Sequence, residues 1–455
     1  MVQENRKILF VSLGCDKNLV DTEMMLGMLS ERGYSFTDDE TEADIVVVNT
    51  CCFVNDAKEE SIQTLLEMAD LKQNGQIQVL IAAGCMAQRY QEEIQKEIPE
   101  VDAIIGTTAI ETIADTVDAV LGGKAENHIA DCNGTVTYGK KRIVTTGGHY
   151  AYLKIAEGCD KHCTYCIIPK IRGNYRSIPM ESLLKEAERL VENGAKELIL
   201  VAQETTLYGK DLYGKKMLAE LLHQLCGIPG LFWVRILYCY PEEIDEELIE
   251  AIRTEEKVCH YLDIPIQHGS DAILKRMGRR TSKEELISIV KKLREAIPEI
   301  CLRTTLITGF PGETKEDHEE LLAFIDELEF DRLGVFTYSP EEDTPAAEMP
   351  EQIPEEIKLD RQAQLMELQQ EIVFEKAEQM VGRTVYAMIE GKVTDECTAD
   401  ASAYIARTYK DAPNVDGYLF INSGRELITG DIVKVRVTGS YEYDLIGELE
   451  DEFTE

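Results

Sequence analysis

The chain has 455 residues, 44% of them hydrophobic, which suits two or three domains with sizeable cores. No run of 18 apolar residues is free of charge, and residues 1–7 lack a secretory signal's apolar region and cleavage site. A cytoplasmic protein with no membrane partner is therefore expected. The net charge of −38 disfavours extended nucleic-acid binding and would attract a basic partner, although solvated acidic helix faces account for it equally well.

Residues 7–13, 44–49 and 78–83 read as strands whose continuous apolar runs suit a parallel sheet buried on both faces. A helical pattern spans 21–32 and stops at Gly33. Each of the three strands is followed by a cysteine: Cys15, Cys51 and Cys85. Sites in open parallel sheets form beyond the carboxyl ends of strands, so three sequence-distant cysteines should converge on one edge. Three unrelated buried cysteines are the alternative.

Residues 127–144 read as a polar linker between a first unit, 1–126, and a second, 145–376. In the second, strand patterns at 151–156, 197–202, 234–238, 261–266, 302–308 and 333–338 alternate with helical ones such as 182–192 and 283–295, which predicts a partial (β/α) barrel. Helical sequence from 355 to 379 leads into a third unit, 377–455. Its β-patterned runs at 384–389, 418–421 and 431–437 predict a small β-barrel, with a solvated acidic tail at 448–452.

The first barrel strand is followed by Cys159, Cys163 and Cys166, spaced C-x3-C-x2-C with no fourth cysteine beside them. Thirteen cysteines in a long chain without a signal point to metal binding or catalysis rather than disulfides. Three thiolates on a four-iron cluster would leave one iron open to a ligand. The other seven cysteines (52, 132, 226, 239, 259, 301 and 397) show no ligand-like spacing and read as buried small hydrophobes. A zinc site prefers four closed ligands, which two sets of three do not supply. An electron-transfer protein would not need a barrel-sized domain around the loop.

The C-x3-C-x2-C loop resembles the signature of the radical S-adenosylmethionine (SAM) superfamily. With Cys15, Cys51 and Cys85 upstream and a small β unit downstream, the whole chain resembles the methylthiotransferases. The context Gly14-Cys-Asp-Lys-Asn18 looks like the branch that modifies ribosomal protein S12. The tRNA-adenosine branch typically has Gly-Cys-Gln-Met-Asn there. Residues 380–455 carry a net charge of −8, which fits a basic protein substrate better than RNA. Where the family usually has Gly after the second N-terminal cysteine, this chain has Cys52, read as a tolerated small side chain or, in the alternative, a substitute ligand.

The resemblance implies an enzyme transferring sulfur-containing groups, with a TRAM module at the C-terminus and two [4Fe–4S] clusters. Cys15, Cys51 and Cys85 would hold one cluster, and Cys159, Cys163 and Cys166 the other, which chelates SAM. One SAM would yield a 5′-deoxyadenosyl radical that abstracts hydrogen from the β-carbon of an S12 aspartate, and a second would supply the methyl group of 3-methylthioaspartate. A sulfur donor, an electron donor and a monomeric state complete the expectation; modification of tRNA is the alternative. In the same implied pocket, Gly194 and Glu197 would contact the SAM amino group, with Gln203 and Arg303 facing the site. Gly309 and Gly312 would let backbone approach SAM or make an ordinary strand–helix turn. Asp263, Gln267 and His268 read as pocket or core polar residues, and His162 as a loop residue rather than a ligand.

Overall fold

The computed structural model describes residues 6–124, 127–393 and 402–450. The N-terminal unit contains β1 (Lys7–Ser12), α1 (Asp16–Arg32), β2 (Ser35–Thr37), β3 (Ile45–Thr50), α2 (Asn55–Gln73), β4 (Val79–Ala83), α3 (Gly84–Arg89), α4 (Gln91–Glu97), β5 (Ala103–Ile105) and α5 (Ile113–Leu121). Its strands form one parallel sheet in the order β2-β1-β3-β4-β5. In β3, Ile45 and Val47 join one core and Val46 and Val48 the other, so the sheet is covered on both faces. Each such fully buried side chain contributes about 1.5–3 kcal/mol.

The central unit contains β6 (Tyr150–Lys154), the short β7 (Ala156–Glu157), α6 (Ile168–Arg172), β8 (Arg176–Ser177), α7 (Met180–Glu192), β9 (Glu197–Val201), α8 (Lys210–Tyr213), α9 (Leu218–Cys226), β10 (Trp233–Ile236), α10 (Glu246–Thr254), β11 (Val258–Asp263), α11 (Asp271–Arg276), α12 (Lys283–Ala296), β12 (Cys301–Thr308), α13 (Lys315–Leu328), β13 (Arg332–Thr337) and α14 (Glu355–Glu378). The six principal strands form an open parallel sheet, β6-β9-β10-β11-β12-β13, as the sequence predicts. Alternate residues such as Leu198, Val234, Leu262 and Leu302 pack under the helices in the largest core.

The opposite face is shared. Tyr152, Ile199, Trp233 and Tyr261 form one core with Val20, Met24 and Ile45 of the N-terminal unit and Met388 and Ala412 of the C-terminal one. That last unit is a closed five-stranded barrel of β14 (Thr384–Val393), β15 (Ser402–Thr408), β16 (Leu419–Ser423), β17 (Ile432–Tyr441) and β18 (Asp444–Leu449). It docks near the amino ends of the central strands. Arg407 reaches Glu197 at 2.8 Å, Asp416 reaches Arg303 at 2.8 Å and Asp411 reaches Arg332 at 2.6 Å.

Several expectations are corrected. α1 begins at Asp16, five residues early, because the Leu19 amide already bonds the Cys15 carbonyl at 3.0 Å. The polar linker is strapped down, with Arg142 buried against Glu23 at 2.6 Å and against Glu186. Glu448 and Leu449 belong to β18, Leu449 buried, while Glu448 and Glu450 are solvent-exposed as expected; residues 451–455 lie outside the described residues. Of the seven cysteines read as buried, Cys52, Cys239, Cys259 and Cys301 are so, Cys132 and Cys226 are half-buried, and Cys397 lies outside the described residues. Among the described residues, no helix is long and apolar enough to cross a membrane.

Candidate active site

The first three cysteines meet where the sheet's loops are tightest. Gly14 and Gly84 turn the chain at φ +87° and +90°, a region that favours glycine. A Cβ on Gly14 would stand 2.7 Å from the Cys51 Sγ, so only glycine lets these two loops close together. Asn18 ties them further, donating to the Leu13 and Thr50 carbonyls at 2.9 and 3.0 Å, and its carbonyl oxygen lies 3.7 Å from the Cys85 Sγ. Burial pushes the Cys51 and Cys85 thiols up, each further raised by its cysteine neighbours and countered by Arg172. Cys52 is fully buried in the core on one face of the sheet, where burial raises its thiol to about 12.

The second triad sits in a loop locked by backbone bonds. Cys159 N donates to Gly173 O at 3.1 Å, Cys166 N to Cys163 O at 3.0 Å, and Thr164 N to Met277 O at 2.9 Å. Burial pushes Cys159 and Cys166 up to about 12, so neither ionises at neutral pH without a metal. The Tyr240 hydroxyl lies 3.7 Å from the Cys163 Sγ. His162 is exposed at φ +53°, a loop residue as expected.

The two cysteine-bearing edges face each other. Arg172, at the end of α6, contacts the Cys85 Sγ at 3.3 Å, Asp21 at 2.7 Å and Glu157 at 3.2 Å, and also Asn18. Lys154 joins the same two carboxylates. On the other side, the Tyr238 hydroxyl donates to Asp16 at 3.2 Å, two residues before Tyr240. Among the described residues, no three His, Cys, Asp or Glu side chains clasp a single metal ion. Two groups of three thiols, two of each group buried and Cys15 and Cys166 half-buried, do have the donor chemistry of iron–sulfur ligands, and a four-iron cluster holds its thiolates at separate corners.

The remaining sequence-predicted residues divide. Gln203 is at the site: its Oε1 accepts from Gly158 N at 2.9 Å and its Nε2 donates to Glu157 at 2.9 Å. Gly194 and Glu197 are not, because both precede or begin β9, at the end of the sheet away from the cysteines. Glu197 is fully engaged by Arg235 at 2.7 Å and Arg407 at 2.8 Å. Arg303 bridges Asp416 of the small barrel and Asp263, at 3.7 Å. Gly309 and Gly312 make the turn into α13, and a Cβ on either would strike the Lys358 or Arg276 side chain. Gln267 continues the backbone pairing beside β12. His268 is fully buried, its Nδ1 accepting from Ser270 N at 2.9 Å, which makes it a core polar residue. Asp263 accepts from Tyr238 N at 3.1 Å, and its other oxygen, buried and without a hydrogen bond, faces the Arg303 guanidinium at 3.7 Å.

Two residues were missed. Glu204 follows the carboxyl end of β9; burial raises its carboxyl to about 7, and its Oε2 is buried without a hydrogen-bond partner. Arg279 stacks over Tyr240 with its Nε and Nη1 likewise unpartnered. The strand-end rule, applied to the strand already read at 197–202, would have found Glu204.

The fold and the cysteine loop define a radical SAM enzyme, built with an added α/β unit in front and a TRAM barrel behind. Family models match accordingly: uncharacterized protein family UPF0004 over residues 7–106, the radical SAM superfamily over 153–325 and the TRAM domain over 381–449. A radical SAM methyltransferase, TsrM, from Kitasatospora setae, solved with cobalamin and a [4Fe–4S] cluster, shares the fold at TM-score 0.55 and 14% identity, over 86% of this chain and 81% of that one. Two curated relatives are named ribosomal protein uS12 methylthiotransferase RimO. That of Lachnoclostridium phytofermentans is 61% identical over 98% of this chain and 100% of its own length, and that of Pelotomaculum thermopropionicum 51% over 97% and 99%. The chain belongs to this uS12 methylthiotransferase family.

Proposed function

We propose that the chain methylthiolates the β-carbon of an aspartate in ribosomal protein S12. The observation that carries this reading is the meeting of two cysteine triads across one buried seam, as sulfur insertion beside a radical source requires. Cys159, Cys163 and Cys166 would hold the SAM-chelating [4Fe–4S] cluster, and Cys15, Cys51 and Cys85 a second one, within units 145–376 and 1–126. When bound, these groups supply one-electron chemistry for an unactivated carbon–hydrogen bond and a sulfur to place there. The protein's own residues do the holding. Gln203 fixes the backbone ahead of Cys159, and Arg172 sets a positive charge against the Cys85 sulfur. Glu204 offers an acceptor for the SAM ammonium group, and Arg279 donors for its carboxylate.

Anaerobic reconstitution tests this. About eight irons per chain, then a methylthio mass gain on an S12 aspartate with SAM and reductant, are expected. Cys163→Ala should abolish SAM cleavage, whereas Cys85→Ala should retain some cleavage and lose sulfur insertion. Zinc without iron, or 5′-deoxyadenosine formed only with tRNA, would overturn the reading.

A further inference from the structure

Lys17 stands where a structural lysine has little reason to be. It lies in the first turn of α1, where the helix dipole disfavours a cation, and it is only 6% exposed. Among the described residues, no hydrogen bond or ion pair engages its Nζ, which sits over the Tyr238 ring 3.4 Å from the centroid. Asp263 is the acid that feels its charge, but that carboxylate is taken up by Tyr238 N at 3.1 Å and Arg303 at 3.7 Å. Burying an ammonium group is costly, and here only a ring face and a carboxylate shared with Arg303 offset it.

Its position gives the cost a use. Lys17 is two residues from Cys15, and the Tyr238 beneath it is two residues from Tyr240, whose hydroxyl lies 3.7 Å from the Cys163 Sγ. Tyr238 also donates to Asp16, the residue after Cys15, at 3.2 Å, so the ammonium group over its ring lies between the two cysteine edges. We propose that Lys17 recognises the side-chain carboxylate of the target aspartate and so holds the adjacent β-carbon between the two triads. The proposal rests on the function proposed above: the reacting carbon is one bond from a carboxylate that needs a buried cation on entering the seam. Lys17 is thus a specificity residue for an acidic side chain.

The test compares two labelled S12 peptides, with Asp or Asn at the target position, binding by fluorescence anisotropy to the full-length iron-loaded chain without oxygen. The parent should prefer the Asp peptide by ~30-fold, the low end of what losing one partner of a buried charge pair costs. Lys17→Met should bind both peptides equally weakly, and Lys17→Arg should keep the preference. Equal binding of the two peptides by the parent overturns the inference, whatever the variants do. So does a Lys17→Met chain of parental iron content that still prefers Asp. If the parent neither binds nor methylthiolates the Asp peptide, the proposed function fails and this inference with it. If the parent methylthiolates that peptide but does not distinguish Asp from Asn in binding, only the inference fails.

Discussion

Replacing Arg172 by Met perturbs the seam with little change in volume. Arg172 is 1% exposed and shares Asp21 and Glu157 with Lys154, so the buried group holds two positive and two negative charges. Met leaves two carboxylates to one ammonium group, an uncompensated buried charge. Removing one partner from such a group costs about 3–5 kcal/mol. Because Asp21 belongs to α1 and Glu157 to the central unit, the loss should appear as separation of the two. Trp233, the chain's one tryptophan, lies in the core both units share and reports it by fluorescence during urea unfolding. The pH dependence has a definite sign. Burial alone would raise the Glu157 carboxyl, but Lys154 and Arg172 outweigh it and hold the carboxyl below its usual range. A depressed folded value contributes stability that is present above the unfolded value, about 4.3, and lost as pH falls through the folded one. In metal-free protein, the gap between parent and variant should therefore be full at pH 7 and narrow below about pH 4. A loss under about 1 kcal/mol, as for a solvated pair, or a gap that stays constant at low pH, would refute the buried-cluster account.

Other substitutions probe single features. Gly158→Ala places a Cβ 2.1 Å from the Asn174 carbonyl at φ +80°; iron counting should show about half the iron lost, and a full complement would refute the tight loop. Glu204 titrates near 7 through burial, so SAM binding without reductant should strengthen as pH rises through that value, and Glu204→Gln should bind weakly with no such rise. The raised value also means that the folded metal-free chain keeps a proton the unfolded one has lost; stability should fall between about pH 4.3 and 7, and Glu204→Gln should remove that fall in urea titrations. Glu197→Gln weakens the pairing of Arg235 and Arg407 and should cost about 3–5 kcal/mol while SAM cleavage survives; lost SAM binding at an unchanged unfolding midpoint would return Glu197 to the cofactor site.

The six cysteines and both parallel sheets were legible because apolar runs and strand-end position are local properties. β15 and β18 were not. The run Ser402–Thr408 is diluted by small residues, and β18 closes the barrel partly through parallel pairing with β16, which no turn signal announces. Gly194 and Glu197 were misplaced because motif position overrode strand direction: Glu197 opens β9, and Glu204 follows its carboxyl end. The roles of Arg172 and Lys17 come from partners far away in sequence, Cys85 for the one and Tyr238 for the other, and no periodicity encodes those contacts.

The net charge of the last unit also acquires a finer meaning. Glu390, Asp411 and Asp416 pair internally with Arg407, Arg332 and Arg303 and offer nothing to a partner. The exposed acids Glu426, Glu442 and Glu448 remain for docking a basic protein. Yet the small barrel docks near the amino ends of the central strands, with Lys410 O beside the Cys301 Sγ, whereas the cysteine loops lie beyond the carboxyl ends. β12 runs eight residues between those two ends, about 25 Å at ~3.3 Å per residue. A partner gripped by the barrel's acids must therefore project its modified side chain by about that distance, on a loop narrow enough to enter the seam beside Lys17. A duplex nucleic acid, broad and uniformly anionic, meets neither requirement.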